Sequence, residues 1–527
     1  MSEKCQGEEN LPVVVIGAGI AGLSAALHLA ERGLSPCVLE ADPHYCGGRV
    51  SGGDVIELNG WHFRDEHAVH GIWSPYRNLQ AMLARHTIRP MFVPAQEESW
   101  IYKRGNLVKE APVGSVIRYS WEPPPFHYLA LFLRPRFLGM LDLRDWLSLP
   151  LVWYGLLLAI SIDPLREGQP MEGMWLSDLV KHWSPALRAF FIGLARNGLS
   201  AHPEEIPLSG FIAFLRFYTL LRRDAWAFSY LPADGGTCLV EPLVGKLREA
   251  GGVVEMGVRV TSLERDVHGW RVYWRSSSIP PAHEGEDGES KNSGSLLTQQ
   301  VILATDAPNT ATILHASPNL GVDTADLYWP RGMGTAIVRI WFDGTPSPGP
   351  EAGIFSGDFI LDNFFWLHRI QDQYAEWHRA TGGSVVEVHI YGPPGLLEEP
   401  DTVLLARAIA DVQSAFPELR GHLLHQVLRR NDPTHTLFGL GPPERHLGIK
   451  TPWQDIFCCG DWVRHPTPSF FLERACVTGV EAANCVLESR GLETWPLLDY
   501  APPEPLAGFI ERLMVGIRQV LLKWKKR

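Results

Sequence analysis

One stretch near the start of the chain constrains the fold more than any other. Val13-Val14-Val15-Ile16 is a short, wholly apolar run, and Gly17-Ala18-Gly19-Ile20-Ala21-Gly22 follows it before a second apolar run, Leu23 to Leu27. This order predicts a buried strand, a glycine-rich turn and a helix start, a geometry that aims backbone N–H groups and a helix N-terminus at a pyrophosphate. Gly17 allows the tight turn, Gly19 lets the backbone approach the phosphates, and Gly22 lets the helix lie close on its strand. A second short strand, Cys37-Val38-Leu39, ends at Glu40. Its carboxylate falls about 20 residues past the glycines, where an acid accepts hydrogen bonds from a ribose. Together these features predict a dinucleotide site.

The 527 residues are 45% hydrophobic, which is enough for two domains with their own cores. A net charge of −12 argues against nucleic acid as a partner, because that demands a basic face. The eight cysteines are scattered at no zinc spacing, and Cys458-Cys459 reads as a buried thiol pair. That usage points to a reducing, cytoplasmic compartment. The first ten residues are polar and show no signal-peptide pattern.

Further motifs extend the first. Gly47-Gly48-Arg49 places a close-approaching loop and a forked cation soon after Glu40. Near the other end, Asp455 to Cys459 reads as a buried strand, Gly460-Asp461 follows, and Pro468-Ser469 opens a helix expected over 470–486. Asn59-Gly60-Trp61-His62-Phe63, Ala195-Arg196-Asn197-Gly198-Leu199 and Leu231-Pro232-Ala233-Asp234-Gly235-Gly236-Thr237 lie between them.

With these motifs the chain resembles the superfamily of FAD-dependent amine oxidases and carotenoid desaturases over residues 11 to 486, and the phytoene and zeta-carotene desaturase branch within it. The resemblance implies an α/β (α+β) fold in which a Rossmann-type FAD-binding domain interleaves with a substrate domain of mixed sheet and helices. The FAD domain would comprise 11–60, 230–310 and 446–487, and the substrate domain 61–229 and 311–445. It implies that Gly17, Gly19, Ala21 and Gly22 hold the pyrophosphate, Glu40 the adenosine ribose, and Gly48 and Arg49 a phosphate. Val260 would meet the adenine through its backbone, and Gly460 and Asp461 would lie at the ribityl and phosphate end. The helix opening near Ser469 would aim its positive end at the flavin.

The implied reaction is removal of hydrogens from a long isoprenoid, with quinone or oxygen as electron acceptor. Such chemistry needs a long apolar channel, for which Trp175, Phe190, Phe191, Phe211, Phe214, Phe217 and Trp226 are available, although any one of them is more simply core. No general acid or base is named. A flavin amine oxidase is the less favoured alternative. That branch usually carries a lysine on a substrate-domain strand, and none occurs between Lys291 and Lys450. A carotenoid isomerase, an aromatic-carotenoid synthase that couples desaturation to methyl migration, and a non-catalytic flavin-binding assembly factor remain as further alternatives.

Local readings complete the set. Helix is expected over 241–250, and strands over 252–265, 270–275, 301–306, 336–342 and 384–391. The polar stretch 276–295 reads as a mobile hairpin loop. His62, His67 and His70 match no metal spacing, with Asp65 and Glu66 expected to face solvent. Glu473 and Arg474 read as an ion pair on a helix surface. The nearly uncharged stretch 146–160 reads as a buried helix, or as a patch lying on a lipid surface. The tail, 488–527, mixes apolar residues at helical spacing with a basic end, which suits an interfacial helix and a peripheral membrane location.

Overall fold

A computed structural model describes residues 11–167, 171–277, 293–318, 320 and 324–525. Its first organising element is a five-stranded parallel sheet. The strand order is Val253–Glu255, Cys37–Leu39, Val13–Ile16, Gln300–Leu303, Ile456–Cys458. Val13–Ile16 is central: Val14 sits opposite Cys37 on one side and Val301 on the other. All four of its residues are buried, as expected for a strand covered on both faces. The helix Ile20–Ala30 follows and is buried along its whole length, because it is sandwiched between this sheet and the late helix Phe471–Ser489. Gly479 makes that second contact possible, since a Cβ there would stand 2.3 Å from the Ala21 carbonyl oxygen.

The second element is a seven-stranded mixed sheet. Its order is Leu423–Thr436, Gly332–Phe342, Ser384–Ile390, Asn363–Trp366, Ala352–Gly357, Glu98–Arg104, Leu107–Pro112. Ala352–Gly357 and Glu98–Arg104 run parallel, and the other pairs are antiparallel. One face packs on the helix Asp401–Ala415 through Val386, Val388 and Ile390 against Leu404, Ala408 and Val412. Helices Leu143–Ser161, Pro185–Leu199 and Leu208–Leu215 come from the Trp-, Leu- and Phe-rich middle of the chain. The expected α/β class with a Rossmann-type sheet beside a mixed sheet is what the chain adopts.

Local expectations fare unevenly. The helix Glu241–Glu249 and the strands Gly269–Ser276, Gln300–Leu303, Gly332–Phe342 and Ser384–Ile390 stand close to where they were expected, whereas the expected strand over 252–265 is two, Val253–Glu255 in the parallel sheet and Val258–Asp266 in a separate antiparallel one. The ends of the proposed 276–295 loop belong instead to the paired strands Gly269–Ser276 and Ser293–Thr298, while its interior, 278–292, lies outside the described residues. Cys458, Cys459 and four other cysteines are free thiols, but Cys37 is disulfide-bonded, which the cysteine spacing did not announce.

Three readings need correction. Glu66 does not face solvent. It is buried, accepting hydrogen bonds from Gln371 Nε2 at 2.7 Å and the Gly235 amide at 3.2 Å. Asp65 is engaged as well, by Arg339 at 2.6 Å.

Glu473 and Arg474 do not form a surface pair. Both are fully buried, and consecutive helix positions diverge by about 100°. Glu473 accepts from the Asn78 and Leu79 amides, both at 2.9 Å, and so caps the N-terminus of the helix Arg77–Arg85 from a distance. That helix lacks a cap of its own, because Tyr76 occupies the position. Arg474 donates to the carbonyls of Val463, His465, Thr467 and Ser469, tying down the loop before its helix.

The stretch at 146–160 is half of what a buried helix would be. Leu143–Ser161 packs Val152, Leu156, Ala159 and Ile160 inward but leaves Leu147 73% and Tyr154 66% exposed.

Candidate functional site

The glycines of the first motif sit where the first strand meets the first helix. Gly17 has φ +104°, a conformation that a side chain would strain, and its amide donates to the Leu39 carbonyl at 2.8 Å. Gly19 occupies the N-cap of Ile20–Ala30 without offering any side-chain cap, so the first-turn N–H groups are left for a ligand. Gly48 folds over them, with the Gly19 Cα 3.9 Å from where its Cβ would stand. Gly22 turns the other way. A Cβ on it would lie 2.0 Å from the Gly17 carbonyl oxygen, so its role is packing, as its spacing suggested.

Glu40 lies at the end of the second strand, as expected. It accepts hydrogen bonds from the Ala18 amide at 2.8 Å and the Asp42 amide at 2.9 Å. Burial raises its pKa, and these two bonds oppose that rise. The carboxyl is thereby held rigidly beside the glycine turn.

A single continuous cavity of about 910 Å3 joins these groups. Gly17, Gly19, Ala21, Glu40, Gly48, Arg49, Val260, Gly460 and Asp461 all line it; Gly22 does not. Residues 400 positions apart meet here, for Arg49 donates to Asp461 at 2.6 Å and to His435 at 3.0 Å. Burial and the Arg49 charge push the His435 imidazole down to about 4, so it is neutral near pH 7. The first turn of the Phe471–Ser489 helix also forms part of the wall, through Phe471, Leu472 and Ala475.

The cavity continues past this region onto the mixed sheet and the middle helices. Of the seven aromatic residues offered for a channel, Phe190, Phe214 and Trp226 line it. Phe191, Phe211 and Phe217 are core, and Trp175 is exposed. His67 and His70 reach the wall whereas His62 is exposed, and the described residues hold no group of three metal-ligating side chains.

Several wall residues were missed from sequence. Asn197, Asn363, His389, Tyr391, Asn431 and His435 are polar groups on a wall that mixes polar with aromatic and aliphatic side chains. One signal was available: Glu387, His389 and Tyr391 recur at every second position of a strand whose other face is Val386, Val388 and Ile390.

Comparison with known proteins fits this architecture. Residues 15–86 match the family model described as an NAD(P)-binding Rossmann-like domain. The chain is 22% identical to the carotenoid phi-ring synthase of Chlorobaculum tepidum, over 92% of this chain and 89% of that protein. It is 26% identical to the carotenoid phi-ring synthase of Streptomyces griseus, over 91% and 88% respectively. Among solved structures, cyclohexylamine oxidase from Brevibacterium oxydans IH-35A superposes with a TM-score of 0.63 at 14% identity, covering 92% of this chain and all of that one. The resemblance drawn from the motifs therefore holds: this is an oxidoreductase of the flavoenzyme fold with a dinucleotide-type cofactor site, related in sequence to carotenoid-modifying enzymes.

Proposed function

We propose that this chain, a relative of carotenoid-modifying enzymes, is an FAD-dependent oxidoreductase that removes hydrogens from a carotenoid-type isoprenoid. The observation that carries the reading is one cavity that begins at a dinucleotide-binding turn and ends among aromatic side chains. A cofactor bound at the first part would therefore share the space with an apolar substrate at the second.

The residues present suit FAD. The uncapped helix at Gly19 offers amides to a pyrophosphate, with Gly17, Gly48 and Ala21 keeping the approach clear. On this reading Glu40 would hold the adenosine ribose and Val260 would meet the adenine. Arg49, held by Asp461 and His435, would turn its remaining donors to phosphate, and Gly460 and Asp461 would lie at the ribityl end. When bound, FAD would supply a two-electron acceptor for hydride. Here the chain's own contribution is a rigid cradle, the helix N-terminus at Phe471, and walls that keep water from the reacting carbon atoms. The same division of labour supports the proposed domains. The parallel sheet draws its strands only from 11–60, 230–310 and 446–487, and the mixed sheet only from the intervening segments. The electrons would pass on to quinone or oxygen.

A second form of the reaction, in which hydrogen removal aromatises a ring end group with methyl migration, is favoured by the similarity to phi-ring synthases over some nine-tenths of each chain. The test is expression in cells supplied either with an acyclic polyene or with a ring-bearing carotenoid. New, more unsaturated pigment from the first supports chain desaturation, and an aromatic end group from the second supports ring chemistry. No new pigment from either, with FAD-loaded protein present, would overturn the proposal.

Such a substrate is dissolved in lipid, and two exposed apolar helix faces support a peripheral membrane location. Among the described residues one helix, Leu143–Ser161, is long and apolar enough to cross a membrane. Its outer face exposes Leu143, Trp146, Leu147, Leu151 and Tyr154. The tail helix Pro505–Lys525 packs against it and is pinned by Arg216–Glu511 at 2.5 Å and Arg518–Glu167 at 2.6 Å. Phe509, Leu513, Ile517, Leu521 and Trp524 of the tail remain exposed, beside a basic end. We read the two helices as one interfacial, monotopic face. Deleting residues 505–527 is expected to move the protein from the pelleted to the soluble fraction with anionic vesicles. Unchanged pelleting would discard that role for the tail.

A further inference from the structure

A hydrocarbon substrate has no evident use for a chain of buried polar groups, yet one runs up to the cavity wall. The strand Ser384–Ile390 points Glu387 and His389 to the face opposite Val386, Val388 and Ile390, and Tyr391 continues the alternation one residue beyond. His389 and Tyr391 line the cavity, while Glu387 lies behind them and is wholly buried. Tyr391 Oη is 2.7 Å from His389 Nδ1, and His389 Nε2 is 2.7 Å from Glu387 Oε1. Glu387 Oε2 accepts from Arg339 Nε at 2.7 Å, and Oε1 also accepts from the Val69 amide at 2.8 Å.

The partners determine the direction of these bonds. Burial alone would push the Glu387 carboxyl up, but the Arg339 guanidinium and the hydrogen bond from His389 outweigh it and hold the group at about 2. An ionised carboxylate only accepts, so Nε2 of His389 carries the hydrogen. In the neutral ring Nδ1 is then an acceptor, and the Tyr391 hydroxyl donates to it. Asn363 Nδ2 donates to the phenol oxygen at 3.1 Å, and the rotatable Ser200 hydroxyl, also on the cavity wall, is its other neighbour. Asn363 Oδ1 is buried and has no hydrogen-bond partner, although the residue lines the cavity.

We propose that Tyr391, His389 and Glu387 form the proton-accepting relay of the hydrogen-removal reaction. The inference rests on the function proposed above. Forming a double bond removes two hydrogens from adjacent carbons. One leaves with its electron pair as hydride, to an oxidant of the flavin class, and an allylic cation remains. The neighbouring C–H bond then breaks and its electron pair becomes the new π bond. Its proton lands on Tyr391 Oη as the phenolic hydrogen passes to His389 Nδ1. The imidazolium so formed faces the Glu387 carboxylate, which is already ionised and fixed by Arg339. The substrate loses two electrons, the oxidant gains them, and the proton stays on the protein until it returns to water.

A purely structural role is the competing account, since the same bonds stitch the strand to the loop bearing Val69. Two variants separate them in the full-length, FAD-loaded protein with the polyene that the wild type converts. Tyr391→Phe removes the relay's entry while keeping the ring. His389→Gln keeps a donor for Glu387 and an acceptor for Tyr391 but takes up no proton. Each is expected to lower kcat about 100-fold, the scale of general-base catalysis. Polyene affinity, read by tryptophan quenching without turnover, should stay within about two-fold of wild type, and the solvent deuterium isotope effect on kcat should vanish in Tyr391→Phe. A kcat near wild type in both variants, or an isotope effect that persists in Tyr391→Phe, overturns the relay while leaving the functional reading intact. A wild type that converts no polyene overturns the functional reading and the relay with it. Should Tyr391→Phe fail to fold, His389→Gln alone decides between the two accounts.

Discussion

Replacing Arg339 with methionine is expected to destabilise the protein by about 3–5 kcal/mol, the cost of removing one member of a buried ion pair. The guanidinium is fully buried on the strand Gly332–Phe342. It bonds Glu387 at 2.7 Å, Asp65 at 2.6 Å and the Glu66 carbonyl at 2.7 Å. Methionine fills the volume but leaves the Glu387 carboxylate in an interior with no cation beside it. The effect is largest near neutral pH. A carboxyl whose folded value is depressed contributes stability that is complete above its unfolded value, near 4.5. That contribution fades as pH falls from there toward its folded value of about 2. Urea melts at pH 7 measure the loss. A Glu387→Met change added to Arg339→Met should recover part of it, because the stranded charge goes too. A single variant that loses less than about 1 kcal/mol would show that the guanidinium is not what sustains this charge.

Gly22→Val is expected to yield protein without bound cofactor and less stable by about 3 kcal/mol, the upper end for overpacking. The new Cβ would stand 2.0 Å from the Gly17 carbonyl oxygen and 3.2 Å from the Ala304 Cβ. The near atom is backbone, so no rotamer change relieves the clash. Helix Ile20–Ala30 must lift from its strand, which carries the Gly19 amides away from the cavity. Gly245 supplies the control. It sits in the helix Glu241–Glu249, where an added Cβ meets nothing within 4 Å. Gly245→Ala should leave cofactor content unchanged and hold or raise the melting temperature. Flavin absorbance per mole of purified protein reads both variants. Full retention in Gly22→Val would contradict the close-packing role of the third glycine.

What was legible from sequence is what local chemistry specifies. The run from Val13 to Gly22 encodes strand, turn and helix within ten residues, because each glycine answers a backbone need that no neighbour can meet. Glu40 follows because a strand end delivers it. The strands at 332–342 and 384–390 follow from their alternating side-chain chemistry, although both faces of each prove to be buried for most of its length. Glu473 and Arg474 were misread for the converse reason. Charge on a helix defaults to the surface unless distant partners satisfy it, and theirs are the amides of Asn78 and Leu79 and the carbonyls of the 463–469 loop. Glu66 and Asp65 were misread in the same way, since Gln371 and Arg339 lie some 300 and 270 positions further on.

The sequence alone determined a strand, glycine turn and helix start with an acid at the end of the next strand, features set by residues close together in the chain, whereas the interleaving of two sheets was legible only through the family resemblance. Tertiary structure decided which charges would be buried and paired. It also brought Arg49 to Asp461, and opened His389 and Tyr391 onto the cavity that starts at Glu40. Those outcomes depend on desolvation and on partners hundreds of residues away, and neither is written in the local order of side chains.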